Sequence, residues 1–203
     1  IDLMEDGRIA VSFISELPGA NGVAEPVPQM MIVDPRSGDI FGINNQDDYI
    51  TAAVGASNVY GDGLLGNVGV GGNDTLVANG EGDRLFGQNG DDVLYAAGDG
   101  DFLDGGNGTD TANFQHIDKG LFVSMLLGDV YDIEGNSGDL IAEFEDIEVV
   151  VCTQFSDNVL GLDGDSDSND TIYGAGGHDT LNGLDGDDSL LGGNGDDEIN
   201  GGA

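Results

Sequence analysis

Nine aspartates carry the chemistry that this chain of 203 residues advertises. Asp74, Asp83, Asp92, Asp101 and Asp110 follow one another at intervals of nine, and Asp170, Asp179, Asp188 and Asp197 repeat the interval further on. Each contributes two hard oxygens, and a fixed repeat in a folded chain brings such side chains together. Two like charges at about 4 Å repel by roughly 1 kcal/mol in water and about 4 kcal/mol near a protein surface. A row of them needs a cation between its members. Carboxylate and turn-carbonyl oxygens suit Ca²⁺, which accepts about six to eight irregularly placed ligands, better than Mg²⁺, which demands a strict octahedron. Zinc is disfavoured because its usual nitrogen and sulfur ligands are missing from the pattern.

The elements that hold these acids can be read from the frames. From Gly69 to Asn113 the chain reads GVGGNDTLV, ANGEGDRLF, GQNGDDVLY, AAGDGDFLD and GGNGTDTAN. From Asp165 it reads DSDSNDTIY, GAGGHDTLN, GLDGDDSLL and GGNGDDEIN. The acid holds the sixth place and an apolar residue the eighth: Leu76, Leu85, Leu94, Leu103 and Ala112, then Ile172, Leu181, Leu190 and Ile199. Glycines first and an apolar-centred triplet last predict a tight turn followed by a very short strand, since glycine tolerates positive φ and close backbone approach. Two such units close one coil of a flattened helix, with the triplets stacked as parallel sheets and Leu or Ile inward. Each turn then lies above the turn two frames away. Frames one, three and five carry Gly72, Gly90 and Gly108 at the fourth place, whereas frames two and four carry Glu81 and Asp99. The true period is therefore 18 residues, with two unlike edges.

Composition agrees. Forty acidic residues face four basic ones, a formal charge of −36, which repels nucleic acid and anionic membranes because phosphate binding needs clustered Lys and Arg. High charge with few aromatics ordinarily marks disorder; the fixed period argues for order once the charge is neutralised, so that metal-binding energy becomes folding energy. Cys152 is the single cysteine. It leaves no intrachain disulfide, and its VVVCT setting suits a buried inert thiol. No apolar run reaches the length of a membrane span. The chain opens at Ile1 without an initiator Met and stops at Gly201-Gly202-Ala203, which would begin another frame, so a fragment of a longer protein is expected.

Four regions follow. Residues 1–58 form a short-strand N-terminal segment or cap. Within it, strands are expected over Gly7–Phe13 and Gln29–Val33, a turn over Asp34–Gly38, an irregular loop over Leu17–Pro28, and a strand or short helix over Asp48–Val54. Residues 59–113 form the first repeat block, with Val59–Val68 as a lead-in. Residues 114–158 form a β-rich connecting insert, with strands over Leu121–Leu127, Leu140–Phe144 and Ile147–Val151. Residues 159–203 form the second block, truncated at its end.

Rival chemistries fare worse. Asp163-x-Asp165-x-Asp167-x-Asn169 imitates an EF-hand loop, but its sixth place is Ser168 and its twelfth Gly174, so an irregular insertion able to hold an extra ion is the better reading. His178 occupies a variable fifth place and should face solvent, and His116 opens the insert beside Phe114 and Asp118. HExxH and GxSxG are both absent, and no catalytic residue is assigned. Phe86, Tyr95 and Tyr173 hold ninth places, where packing between coils is preferred over recognition of a carbohydrate or partner.

The frames resemble the RTX (repeats-in-toxin) nonapeptide motif GGxGxDxUx, a Ca²⁺-binding β-helix repeat. Gly192–Asn200 fits throughout, and Gly105–Asn113 fits except that Ala112 replaces the large aliphatic residue. The resemblance implies an all-β, right-handed parallel β-roll in two blocks. It implies Ca²⁺ between same-edge turns, held by the nine aspartates and by turn backbone at Gly72, Gly90, Gly106, Gly108, Gly177, Gly186, Gly193 and Gly195. Counting stacked pairs gives two sites and one in the first block, and one and one in the second, about five ions or more. Also implied are export by the type I secretion apparatus of a Gram-negative bacterium, folding on extracellular calcium, and a secreted or cell-surface location without membrane insertion. The expected role is a non-catalytic calcium-binding module. Its alternatives are the C-terminal module of a secreted hydrolase or polysaccharide-modifying enzyme, and a structural or adhesive surface-layer or matrix protein that self-assembles or meets cell-surface polysaccharide.

Overall fold

The computed structural model describes residues 2–3, 7–18, 24–42, 47–52, 55, 57–62, 71–133, 139–163 and 169–202. Among these residues there are twenty strands and no helix. β1 (Asp2–Leu3), β2 (Ile9–Pro18) and β3 (Ala24–Val33) come first. β4 (Ile40–Phe41), β5 (Tyr49–Thr51), β6 (Asn58–Tyr60) and β7 (Thr75–Val77) lead into β8 (Arg84–Asn89), β9 (Val93–Tyr95), β10 (Asp101–Asn107) and β11 (Thr111–Asn113). β12 (Leu121–Ser124), β13 (Asp129–Asp132), β14 (Leu140–Glu145) and β15 (Val149–Val151) follow. β16 (Asn158–Leu160), β17 (Thr171–Tyr173), β18 (Thr180–Asn182), β19 (Ser189–Leu191) and β20 (Glu198–Asn200) complete the chain.

In the repeats, successive strands alternate between two sheets, one of thirteen strands and one of seven. The result is a parallel β-solenoid of about six coils, consistent with a β-roll. Registers fix the 18-residue coil directly: Leu76 pairs with Leu94, Leu94 with Ala112, Leu85 with Leu103, Ile172 with Leu190 and Leu181 with Ile199. The eighth-place side chains point inward and form the core, and those from Leu76 to Ala112, with Ile172 and Leu181, are fully buried. Burying each large aliphatic contributes about 1.5–3 kcal/mol. At the far end Ile199 has no further coil over it among the described residues and is 49% exposed.

Neither sheet stops at the insert. β15 carries Val150 between Ala112 and Ile172, so the seven-stranded sheet passes straight through. In the other sheet, β14 pairs in parallel with β10, an antiparallel β12–β13–β14 meander follows, and β12 pairs in parallel with β16. The strand expected over Leu121–Leu127 ends at Ser124; Leu126 and Leu127 belong to a turn and are exposed.

Coiling also begins upstream of the repeats, where β4 pairs with β6 and β5 with β7, both in parallel. Residues 53–54 of the segment expected over Asp48–Val54 lie outside the described residues; Tyr49–Thr51 is strand. The loop expected over Leu17–Pro28 is corrected at both ends. β2 and β3 form a hairpin in which Ile14 pairs with Pro28, Glu16 with Pro26 and Pro18 with Ala24. Pro26 and Pro28 are two residues apart, so both missing N–H groups fall on one side of the strand. It is the β4 side, to which the in-register Asp34 N–H points in bonding Asp39. Among the described residues β4 pairs with β3 only at Ile32 and Val33, and a strand side left unpaired tolerates proline.

On the thirteen-stranded sheet the rings of Phe41, Tyr60 and Phe86 stack at centroid spacings of 4.9 and 4.8 Å. Their faces are turned to one another, which makes Phe86 a packing residue between coils. Tyr95 stacks on His116 at 5.0 Å, and Tyr173 is 38% exposed.

Candidate metal centres

Stacking parallel coils leaves the sixth-place N–H, just before each strand, directed along the solenoid axis. The carboxylate of the equivalent residue one coil later accepts it. On the edge entering the seven-stranded sheet, the N–H groups of Asp48, Asp74 and Asp92 donate to Oδ1 of Asp74, Asp92 and Asp110 at 2.7, 2.6 and 2.8 Å, and Asp170 donates to Asp188 at 3.0 Å. On the opposite edge, Ser57 donates to Asp83 at 2.8 Å, Asp83 to Asp101 at 2.9 Å, Asp157 to Asp179 at 2.8 Å and Asp179 to Asp197 at 3.0 Å. All nine periodic aspartates thus stand on one or other of two axial ladders.

The second carboxylate oxygen decides the chemistry. Oδ2 of Asp74, Asp92, Asp110, Asp179 and Asp188, and Oδ1 of Asp170, are buried without a hydrogen-bond partner. Leaving a charged acceptor in that condition costs more than the ~1–3 kcal/mol of an unmade neutral bond. Each Oδ2 of Asp92 and Asp179 lies where a side chain on Gly87 or Gly174 would have to go. A methyl there would strike the carboxylate and stand 2.6 Å from the carbonyl oxygen of Gly105 or Gly192, one coil on. A glycine therefore keeps open a cradle flanked by an orphaned carboxylate oxygen and a stacked carbonyl. This hard-oxygen set fits calcium.

Electrostatics agree. Burial pushes the Asp74 carboxyl up to about 8, against the donated Asp48 N–H, and the neighbouring charges of Asp92, Asp48 and Asp62 push it the same way. Asp92 is raised to about 7 and Asp110 to about 6, again chiefly by burial. Asp170 and Asp179 are raised for the same reason. Apart from His178 beside Asp179, no cationic side chain among the described residues offsets these carboxylates, and a divalent ion would supply that charge. No group of three or more His, Cys, Asp or Glu side chains among the described residues forms a metal cage by itself. Carboxylates and backbone carbonyls must share the work.

The turn glycines bring those carbonyls into line. Gly90, Gly106, Gly108, Gly177, Gly186, Gly193 and Gly195 all have positive φ, with Gly90 at 133° and Gly195 at 136°. A side chain on Gly90 would collide with the carbonyl of Gly72, and one on Gly195 with that of Gly177.

Several residues escaped the sequence reading. Asp48, Asp157 and Glu148 occupy sixth places in frames without the glycine signature, INNQDDYIT, CTQFSDNVL and EFEDIEVVV. The only signal was an acid two residues before Ile50, Val159 or Val150. Glu148 accepts the Asp110 N–H through Oε2 at 2.8 Å. Asp146 there stands against Gly105 and precedes Glu148 by two residues, whereas Gly105 precedes Asp110 by five; the shortened turn needs the longer side chain to reach. Asp62, 2% exposed, receives the Gly72 N–H at 3.4 Å and the Asn89 amide at 3.3 Å.

The fifth place, which looked variable, carries a ladder of the opposite sense. The N–H groups of Asp91, Thr109, Asp187 and Asp196 donate to Asn73, Asp91, Asn169 and His178 Nδ1 of the preceding coil, at 2.9, 3.0, 2.8 and 3.0 Å. His178 is exposed as expected and still bonds. Asp163 is exposed, and residues 164–168 of the EF-hand-like run lie outside the described residues.

A family model described as the RTX calcium-binding nonapeptide repeat (4 copies) matches residues 68–103, 77–112 and 153–199. These are RTX calcium-binding repeats. The third match opens at Thr153 and so takes in the Asp157 frame as well as the second RTX block. No curated protein matches the chain.

Proposed function

We propose that this chain is a calcium-driven folding module, metal-free and open in the cytosol and closed on extracellular calcium after type I export from a Gram-negative bacterium. The observation that carries the reading is the row of buried carboxylate oxygens without partners at Asp74, Asp92, Asp110, Asp170, Asp179 and Asp188. Bound calcium supplies the positive charge that these oxygens lack. The chain does the rest. Oδ1 of every periodic aspartate except Asp170 pins the preceding coil, the glycine cradles admit the ion, and the Leu/Ile column shuts as the turns are neutralised. Extracellular calcium modules bind with Kd on the order of 10⁻⁴ to 10⁻³ M, a range that separates the two compartments. The role is binding and folding at the cell surface or beyond it, as a non-catalytic part of a larger protein.

Calcium titration followed by far-UV circular dichroism tests this on two variants. Asp92→Ala, which removes a rung serving coils above and below, should raise the calcium midpoint on the order of tenfold or more. Asp163→Ala, at an exposed position, should leave it within error. Equal effects would show that the ladder is not the metal site.

A further inference from the structure

Eight of the sixth-place aspartates fall into two groups by what surrounds their second oxygen; Asp170 belongs to neither, since Leu162 N–H donates to its Oδ2 at 2.7 Å while its Oδ1 is buried without a partner. Asp74, Asp92, Asp110, Asp179 and Asp188 have Oδ2 buried and unpartnered, and the fourth place of each frame is glycine: Gly72, Gly90, Gly108, Gly177 and Gly186. Asp83, Asp101 and Asp157 have Glu81, Asp99 and Phe155 at that place, and their Oδ2 is satisfied from within the same turn. Asn79 N–H donates to Asp83 at 2.8 Å, Ala97 and Gly98 N–H to Asp101 at 3.0 and 3.1 Å, and Thr153 N–H and Oγ1 to Asp157, both at 2.9 Å.

The backbone explains the split. In the turns of Asp92, Asp110, Asp179 and Asp188 the second place is left-handed, at Gln88, Gly106, Ala175 and Leu184, which turns its N–H away from the carboxylate. The first place is glycine at Gly87, Gly105, Gly174 and Gly183, whose missing side chain makes the cradle. In the turns of Asp83 and Asp101 the fifth place is left-handed, at Gly82 and Gly100, and in that of Asp157 no residue is; in all three the second-place N–H swings onto the aspartate. The first places, Ala78, Ala96 and Cys152, are filled by buried side chains. A protein cation also stands at this edge: Lys119 Nζ lies 3.7 Å from Asp99 and 3.4 Å from Asp132.

We infer that the turns are of two kinds, open turns that hold calcium and closed turns that the chain caps with its own N–H groups, and that the fourth-place residue selects between them. In the first block calcium is then held on the edge of Asp74, Asp92 and Asp110 alone, while the edge of Asp83 and Asp101 is metal-free. In the second block, Asp179 and Asp188 place open turns on both edges. The number of ions is smaller than a count of stacked frames gives, because the Asp83–Asp101 pair contributes none. This inference rests on the calcium reading above.

The test counts ions per chain by elemental analysis after dialysis against calcium. Wild-type protein binding none would overturn the calcium reading itself. Given a loaded wild type, Asp92→Asn should lose at least one ion and Asp101→Asn none; loss of an ion from Asp101→Asn would overturn the two-turn scheme. Where Asp101→Asn does not fold, the reciprocal variant decides. Ala78→Gly, Glu81→Gly, Ala96→Gly and Asp99→Gly together convert both closed turns to the open sequence and should add one ion, and an unchanged count would overturn the scheme.

Discussion

Acid should stabilise the metal-free chain and weaken the calcium-loaded one. Asp74 titrates at about 8 in the folded chain against an ordinary value of 3.8. Between those values the folded state holds a proton that the unfolded state has released, so metal-free stability falls as pH rises, by about 1.4 kcal/mol per pH unit. From about pH 5 to about pH 7, Asp74 alone accounts for roughly 3 kcal/mol at most, solvent screening reducing it. Asp92, at about 7, works in the same direction; the two titrate as a coupled pair and their effects do not simply add. With a urea slope of roughly 1–3 kcal/mol/M, the midpoint should drop by about 1–3 M across that window. Calcium reverses the sign. It keeps the carboxylates ionised and takes their folded-state pKa below the unfolded value, so stability is complete above the ordinary carboxylate range and is lost as pH falls through the new one. Urea denaturation in EGTA and in millimolar calcium, at both pH values, reads both slopes. If the metal-free chain is already unfolded at neutral pH, the same effect shows as β-signal gained on acidification in EGTA. A metal-free midpoint that stays flat or rises with pH would refute the reasoning.

Other perturbations separate cradle, backbone and ladder. Gly87→Ala drives a methyl into Asp92 Oδ2 and against the Gly105 carbonyl; it should cost about 2 kcal/mol or more and raise the calcium midpoint in a circular dichroism titration. Ala175 is held at φ 70°, so Ala175→Gly should stabilise the loaded protein by about 0.5–1 kcal/mol in thermal melts, despite the added chain entropy. Glu148→Asp should lose the bond to Asp110 N–H, at a cost of about 1–2 kcal/mol, seen as faster hydrogen exchange at that amide.

The coil was legible because its period survives in two residue types at once, the sixth-place acid and the eighth-place aliphatic. The unlike edges were legible as well, in Glu81 and Asp99 against Gly72, Gly90 and Gly108. What that difference does was not, since it depends on where the second-place N–H points. The Asp157 frame hid because its turn is capped by Thr153 and needs none of the usual glycines. Glu148 hid because a shortened turn exchanged Asp for a longer acid. The fifth place looked idle because Asn, Asp and His are interchangeable as acceptors of one N–H. At the N-terminus, Pro26 and Pro28 read as loop residues because proline breaks pairing on one side of a strand only, and sequence does not say which side is open.

The central claim is that buried carboxylates keep this solenoid from closing until calcium arrives. Far-UV circular dichroism of the purified chain, with calcium and then with excess EGTA, tests it most directly. A reversible passage from β-structure to coil is the expected result, and a β-spectrum unchanged by EGTA would contradict the account.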